Sequence, residues 1–261
     1  MSFEMFEQPR RGALHRAAEE RAPTVLIAHG FKGFMDWGMF PWIADRLAAA
    51  GFAAIRFDFA GNGVDERGDF TDLEGFRANT LGREQEDLGA MLDAVASGRW
   101  AACRPERIGL LGHSRGGGGV ILKAAEDDRV TAVATLAAIA RADRFPAEAR
   151  AQAERDGFYP VRNARTGQEL PVGRAYFEDA AGRDIPAAAR AMGPPLLLVH
   201  GTDDPAVPID EGRALARAHG LLFEIEGADH TFGARHPFAG APDELVRAVD
   251  GAIEFFAETL R

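Results

Sequence analysis

A serine between two glycines is the first group in this sequence with clear chemical potential. The stretch G-H-S-R-G at residues 112–116 directly follows an apolar run at 108–111, and a helix candidate at 116–125 comes next. In so tight a turn the serine takes a strained backbone conformation, and only glycine fits two residues before and after it. The strand, turn and helix context therefore predicts that Ser114 is a nucleophile, with a helix N-terminus that favours developing negative charge behind it.

Carboxylates and histidines occur in two further loops, each of which follows an apolar run. The loop H-G-T-D-D-P-A-V-P at residues 200–208 holds Asp203 and Asp204, and the loop G-A-D-H-T-F at residues 227–232 holds His230. A histidine can act as a general base when a carboxylate orients it. Either aspartate is able to hold an imidazole, and either could instead cap or turn the chain before the next helix.

The segments that must position these groups alternate between short apolar runs and longer amphipathic stretches. This alternation predicts an α/β fold, with β-α units around a mostly parallel sheet and helices on both of its faces. The predicted strands lie at 24–28, 53–57, 108–111, 130–136, 196–199 and 221–225, with an antiparallel edge strand around 12–16. The predicted helices lie at 40–50, 81–96, 116–125, 210–218 and 242–259.

The segment 141–192 interrupts this alternation. It contains no obvious buried strand, and its aromatic residues stand among charged and turn-forming residues. A structureless run of this length is improbable inside a compact domain. We therefore expect residues 1–261 to form a single domain, with a small cap of short helices or a hairpin inserted at about 141–192.

Composition narrows the class of ligand. The formal net charge of -10 makes a nucleic acid or an anionic membrane surface an unfavourable partner. The one cysteine, Cys103, excludes an internal disulfide and a thiol-rich metal site, and no metal or cofactor is predicted. The N-terminal residues lack the apolar centre of a secretory signal, and no window approaches the ~20 apolar residues of a membrane span. We expect a cytoplasmic protein with a small-molecule ligand; the oligomeric state stays open.

The sequence resembles the α/β-hydrolase superfamily over nearly its whole length. Beside the turn around Ser114, the motif H-G-F-K-G at residues 29–33 and the two loops at 200–208 and 227–232 carry the resemblance. The stretch F-D-F-A-G-N-G at residues 57–63 is similar to dienelactone-hydrolase-like and feruloyl-esterase-like members, although those often have histidine where this chain has Asn62. Asp58 in this stretch is interpreted as a residue that stabilises the loop.

The resemblance implies a catalytic triad, in which Ser114 is the nucleophile and His230 the general base. Asp204 would orient the histidine, since the motif register favours it over Asp203, and His236 is the second choice for the base. No cofactor is implied.

The resemblance also implies an oxyanion hole built from the backbone N–H groups of Phe31 and Arg115. Side chains are not needed for such donors, so Phe31 is also a candidate wall of the pocket. His29 is expected to bond neighbouring loop backbone, and His113 to point away from the cleft.

Aromatic residues near the predicted site suggest an apolar substrate pocket. Its candidate residues are Phe34, Trp37, Phe158, Tyr159, Tyr176 and Phe232. The function expected is hydrolysis of small or medium carboxylic esters, with a small acylaminoacyl or prolyl peptidase or a thioesterase as alternatives that share the triad. A non-hydrolytic, ligand-binding member of the fold is the alternative of another class.

Overall fold

The structure is a computed structural model that describes residues 3–260. Ten strands and nine helices occur in this part of the chain. The strands are β1 (Phe3–Phe6), β2 (Gly12–His15), β3 (Ala22–Ala28), β4 (Ala53–Phe57), β5 (Cys103–His113), β6 (Val130–Leu136), β7 (Phe158–Arg162), β8 (Glu169–Gly173), β9 (Leu196–Gly201) and β10 (Leu221–Ile225). The helices are α1 (Phe40–Ala49), α2 (Leu73–Ala78), α3 (Leu81–Ala96), α4 (Arg115–Glu126), α5 (Ala147–Asp156), α6 (Arg174–Ala180), α7 (Ile185–Ala191), α8 (Ile209–Ala218) and α9 (Asp243–Thr259).

Eight of the strands form one sheet in the order β1-β2-β4-β3-β5-β6-β9-β10. The six strands from β4 to β10 in that order run parallel, while β2 pairs antiparallel with β4 and β1 antiparallel with β2. The carboxyl ends of the parallel strands meet at one edge, where ligands of open α/β sheets bind. The predicted α/β architecture is confirmed.

Both faces of the sheet are covered, which explains the uninterrupted apolar runs. Along β3, Leu26 and Ala28 pack in the core layer that holds the buried side chains of α3 and α4. Val25 and Ile27, between them in sequence, pack in the layer of α1 and α9. Successive strand residues point to opposite faces of the sheet. When both faces are buried, every position favours an apolar residue, and the sequence shows no alternation of apolar and polar residues.

Several details of the fold differ from the prediction. The strand Gly12–His15 is antiparallel as expected, but it is not the edge strand, because β1 pairs with its outer side. The strand β1 and the short helix α2 were not predicted from the sequence. β1 is almost entirely exposed and α2 buries only Phe76, so neither has the apolar run that marks a buried element.

The segment 141–192 lies between β6 and β9 and contains helices and a hairpin. The antiparallel strands β7 and β8 form the hairpin, which α5 precedes and α6 and α7 follow. Its loop is tied to the rest of the chain by hydrogen bonds from Arg165 to the carbonyl of Gly68, at 2.7 Å, and from Gln168 to the carbonyl of Phe70, at 3.0 Å. These bonds attach the hairpin loop to the residues just before α2.

Candidate active site

Ser114 occupies the turn between β5 and α4 in a backbone conformation that few residues adopt. Its φ is 56° and its ψ is -118°. A Cβ atom at Gly112 would lie 2.4 Å from the carbonyl oxygen of Gly116, and one at Gly116 would lie 2.4 Å from the carbonyl oxygen of His29. Since backbone atoms block both positions, the two glycines are required by the turn that presents Ser114.

Ser114, His230 and Asp204 come from three different loops and meet in one hydrogen-bonded chain. The Oγ of Ser114 lies 3.0 Å from Nε2 of His230, and Nδ1 of His230 lies 2.7 Å from Oδ2 of Asp204. Both distances are within hydrogen-bond range. An imidazole that donates from Nδ1 to a carboxylate keeps Nε2 free to accept the hydroxyl proton.

The environment of Asp204 keeps its carboxyl ionised. The amides of Ala206 and Val207 both donate to Oδ1 at 2.8 Å. Burial alone would raise the pKa of this carboxyl, but the hydrogen bonds with His200, His230 and Val207 outweigh burial and hold the pKa well below its ordinary value. Asp204 can therefore orient and stabilise a protonated His230.

Asp203 has a different environment from its neighbour. Its side chain is exposed and accepts a hydrogen bond from the hydroxyl of Thr202 at 3.2 Å. Successive residues in this loop point in different directions, so only Asp204 faces His230.

Two backbone amides beside Ser114 are available to an oxyanion. Among the described residues, the N–H groups of Phe31 and Arg115 have no hydrogen-bond acceptor. Arg115 is the first residue of α4, where N–H groups lack intrahelical partners and attract negative charge. A Cβ at Gly30 would lie 2.9 Å from Cβ of Ser114, so the loop before Phe31 approaches the serine closely.

The side chain of Arg115 joins these two donor segments. Its guanidinium forms a buried ion pair with Glu84 and lies over the ring of Phe31, 4.7 Å from the centroid. Glu84 also accepts a hydrogen bond from Asn79 at 2.8 Å. Arg115 therefore connects its own amide to the loop that carries the Phe31 amide.

Three other histidines near the site have structural partners. Nδ1 of His29 lies 3.0 Å from the carbonyl of Gly30, and Nε2 accepts from the amide of Phe59 at 3.3 Å, as a structural interpretation requires. His200 bonds the carbonyl of Val207 at 2.8 Å. His236 accepts from the amide of Gly38 at 3.0 Å. Burial lowers the pKa of His29 to about 4, so this ring is neutral near pH 7.

The expectation that His113 points away from the cleft is wrong. Nε2 of His113 lies 3.0 Å from the carbonyl oxygen of His230, and the two rings have centroids 4.8 Å apart. The last residue of β5 points toward the loop after β10 because successive strand side chains alternate between faces. Burial and the nearby His230 lower the pKa of His113 to about 3, so it is a neutral donor that holds the backbone of His230.

Comparison with known proteins agrees with this arrangement. The profile of the alpha/beta hydrolase family matches residues 25–248, which is most of the chain. The chain belongs to the α/β-hydrolase family. This confirms the resemblance seen in the sequence.

Individual relatives of this α/β-hydrolase are distant. An uncharacterized 31.7 kDa protein in the traX-finO intergenic region of Escherichia coli is 28% identical, in an alignment that covers 79% of this chain and 82% of that protein. The structure of DcsB in complex with its substrate analogue has a TM-score of 0.80 at 17% identity, and covers 99% of both chains. Est1E from Butyrivibrio proteoclasticus, with ferulic acid bound, has a TM-score of 0.72 at 22% identity, and covers 99% of both chains. These structures share the fold.

The turn at residues 57–63 stabilises the α/β-hydrolase loops around the site. Oδ1 of Asp58 accepts hydrogen bonds from the amide of Met35 and from Nδ2 of Asn62, both at 2.8 Å, and Oδ2 accepts from Arg11 at 3.0 Å. Asn62 takes part in this network. Asp58 is thus a loop-stabilising residue, as the sequence suggested.

Two cavities flank Ser114, and both are also lined by Phe31, Lys32 and His230. The first, of about 310 Å³, is called the cationic cavity, and its other lining residues include Arg115, Ile139, Arg144, Phe145, Tyr176 and Val207. The second, of about 340 Å³, is called the aromatic cavity, and its other lining residues include Trp37, Phe40, His113, Asn163 and Arg165. A larger, open depression of about 550 Å³ between residues 140 and 186 does not reach Ser114.

Of the predicted pocket residues, Trp37 and Tyr176 line these cavities, and the other four lie elsewhere among the described residues. Phe34 packs against His236, with ring centroids 5.2 Å apart. Phe232 is fully buried in the core layer of α1 and α9. Both are core side chains, and aromatic residue type does not distinguish a core position from a pocket wall.

Phe158 and Tyr159 lie on the hairpin without lining either cavity. Phe158 packs under the guanidinium of Arg77, 5.6 Å from the ring centroid, and lines a separate surface depression. The ring of Tyr159 contacts that of Phe145, with centroids 6.1 Å apart, and of these two residues Phe145 is the one that lines the cationic cavity.

The cations of the pocket were missed by sequence reasoning. Lys32 follows Phe31 within the H-G-F-K-G motif, so its position beside the Phe31 amide could have been inferred. Arg144 gives no such signal, because the fold of segment 141–192 places it.

Within residues 3–260, no cluster of three or more histidine, cysteine or acidic side chains has the geometry of a metal site. No helix in the same range is long and apolar enough to cross a membrane.

Proposed function

We propose that this chain is a serine hydrolase that cleaves small to medium carboxylic esters through an acyl-enzyme intermediate. Ser114 is the nucleophile, His230 the general base, and Asp204 the orienting acid. The observation that carries the proposal is the continuous hydrogen-bonded chain of 3.0 Å and 2.7 Å through these three side chains.

The first half-reaction forms the acyl-enzyme. His230 Nε2 takes the hydroxyl proton as Ser114 Oγ bonds to the carbonyl carbon of the ester. The carbonyl oxygen becomes an oxyanion that accepts hydrogen bonds from the amides of Phe31 and Arg115. His230 then gives its proton to the alcohol oxygen as the carbon–oxygen bond breaks.

The second half-reaction releases the acid. His230 takes a proton from water, and the resulting hydroxide oxygen bonds to the acyl carbon. The oxyanion forms again in the same place, and Ser114 Oγ leaves with the proton that His230 returns. Asp204 stays ionised throughout and stabilises the imidazolium at each stage.

Small esters are the substrates that best suit the two cavities. Each cavity is at the lower end of the size range of small-molecule sites. Two openings on either side of one serine suit an acyl part and an alcohol part. The fold shared with Est1E, whose structure holds ferulic acid, supports the same class.

Fluorophosphonate labelling tests the mechanism. We expect intact-mass and peptide analysis to find one adduct at Ser114, and a Ser114→Ala variant to lose both the adduct and turnover of p-nitrophenyl esters. A panel of acyl lengths, from acetate to decanoate, measures the size of the acyl pocket. Absence of any adduct would refute the serine mechanism and favour a non-hydrolytic, ligand-binding member of the fold.

Amide and thioester substrates separate the alternatives that share the triad. A small acylaminoacyl or prolyl peptidase would cleave p-nitroanilides at rates comparable to esters, and a thioesterase would favour acyl thioesters of equal chain length. We expect esters to have the highest kcat/KM of the three classes.

A further inference from the structure

The cavities beside Ser114 have the opposite charge from the protein as a whole. The chain carries 40 acidic and 30 basic side chains. Yet among the described residues no aspartate or glutamate lines either cavity, whereas Lys32, Arg115 and Arg144 all line the cationic cavity. Because surface charge is otherwise negative, this local concentration of cations requires a separate explanation.

Of the three cations that line the cationic cavity, Lys32 is the one without a carboxylate partner among the described residues. No acidic side chain of the described residues lies within ion-pair distance of its ammonium, which donates to the carbonyl of Arg162 at 3.2 Å. An ammonium has three donors, so two remain. Burial lowers the pKa of Lys32, which means that no nearby anion offsets its desolvation.

The side chains of the two arginines in the cationic cavity are each held by an ion pair with a glutamate. Arg144 pairs with Glu211 and donates to the carbonyl of Ala206 at 2.6 Å. Arg115 pairs with Glu84, and its buried Nε has no hydrogen-bond partner among the described residues. A guanidinium has five donors, so both retain donors beyond their ion pairs.

We propose that the cationic cavity binds a carboxylate carried by the ester substrate, with Lys32 as the principal contact and Arg144 and Arg115 as supporting donors. The proposal rests on the proposed function and specifies its substrate class. One uncompensated cation matches the single charge of a carboxylate. The apolar side chains of Ile139, Phe145 and Val207 suit the short carbon chain that joins that carboxylate to the ester.

Matched pairs of esters test the proposal on both sides of the scissile bond. On the acyl side, p-nitrophenyl hemiglutarate is compared with p-nitrophenyl valerate, which has the same chain length without the charge. On the alcohol side, 4-acetoxybenzoate is compared with 4-methylphenyl acetate. The readout is the ratio of kcat/KM for the charged ester to that for the neutral ester of each pair.

Lys32→Met is the informative variant, and Lys123→Met is its matched control. Lys123 is the other lysine of the chain and lies on α4 outside both cavities. In one of the pairs we expect Lys32→Met to lower the ratio by about 10-fold or more, as loss of a charge-assisted hydrogen bond implies, while Lys123→Met leaves it unchanged. The pair that responds identifies the side of the ester that carries the carboxylate. An unchanged ratio in both pairs would overturn the proposal.

Calorimetry separates failure of this proposal from failure of the proposed function. If the wild-type protein turns over none of the four esters, the proposed function fails, and titration with glutarate and with valerate decides the binding question alone. Glutarate binding that Lys32→Met weakens by about 10-fold would support the carboxylate site. Glutarate binding no stronger than valerate binding would overturn it.

Discussion

The candidate triad and the segment 141–192 reach the same cleft in different ways. Ser114, Asp204 and His230 each stand in the first loop after a parallel strand, so the sheet itself brings them to one edge. Phe145, in contrast, belongs to the segment 141–192 inserted between β6 and β9, and it lines the cavity from the connection just before α5. The comparison teaches that sheet topology brings the candidate triad together, and that the insertion supplies part of the walls of the cavities beside it.

Substituting each of the two adjacent aspartates in turn tests whether Asp204 belongs to the triad, and it should give the largest effect. We expect Asp204→Asn to lower kcat by about 10⁴-fold, because the amide cannot hold His230 in the tautomer that accepts a proton from Ser114. Asp203→Asn is the matched control and should change kcat less than about twofold, since an exposed residue outside the hydrogen-bonded chain contributes little. Ester hydrolysis by the two variants measures the difference, and equal losses would contradict the assignment.

The close approach of the turn to strand β3 should make the stability of the protein depend on the glycines of the turn. A Cβ at Gly116 meets the carbonyl oxygens of His29 and Ala28 at 2.4 and 2.5 Å, so one strand or the turn must move. We expect Gly116→Ala to reduce the free energy of unfolding by ~3 kcal/mol or more.

Gly119→Ala is the matched control within the same helix. The nearest atom to its Cβ would be Nε2 of Gln85 at 3.5 Å, which is an ordinary contact. This variant should be more stable than wild type by ~0.5–1 kcal/mol, because alanine is the better helix former. Denaturant unfolding of both variants checks the pair, and a Gly116→Ala protein as stable as wild type would show that the turn tolerates a side chain.

The stability of the protein at acid pH should depend on His113, which bonds the backbone carbonyl of His230. Its pKa is about 3 in the folded chain and 6.5 when unfolded, so the unfolded state binds more protons between these values. The contribution to stability is complete above pH 6.5 and is lost as pH falls toward 3. When the pH falls from about 7 to about 5, the free energy of unfolding should decrease for both proteins. We expect the decrease to be ~1–2 kcal/mol smaller for His113→Asn than for wild type. Urea unfolding at both pH values measures this, and parallel losses would refute it.

The parts of the fold and site that the sequence predicts are those set by local patterns. Uninterrupted apolar runs marked the six parallel strands because both sheet faces are covered. Motif loops directly after strands indicated Ser114, Asp204 and His230, since parallel strands end at a common edge.

The rest depends on packing between distant segments. Phe34 and Phe145 are both aromatic residues beside turns, yet one is a core side chain and the other a cavity wall. Nothing in the local sequence distinguishes them, because the answer depends on which surface each ring meets. The inward direction of His113 also depends on a partner 117 residues away.

A Phe→Leu substitution at two positions of the segment 141–192 tests whether the insertion influences which substrates fit the cavities. Phe145 lines the cationic cavity and its ring contacts that of Phe31, with centroids 6.0 Å apart, whereas Phe158 lies outside both cavities against Arg77. We expect Phe145→Leu to change the relative kcat/KM values of short and long acyl esters by roughly 3- to 10-fold, as the loss of a few carbon atoms from a pocket wall implies. The rate of fluorophosphonate labelling at Ser114 should change less, because the triad does not depend on this ring.

Phe158→Leu supplies the control, since it makes the same substitution outside the cavities. The order of acyl preference should then match that of wild type. If Phe158→Leu altered the acyl preference as much as Phe145→Leu did, this preference would depend on the overall stability of the insertion and not on the side chains that line the cavity. Since both side chains belong to one insertion, a difference between the two variants would assign the selection of substrate to the particular surface that faces Ser114.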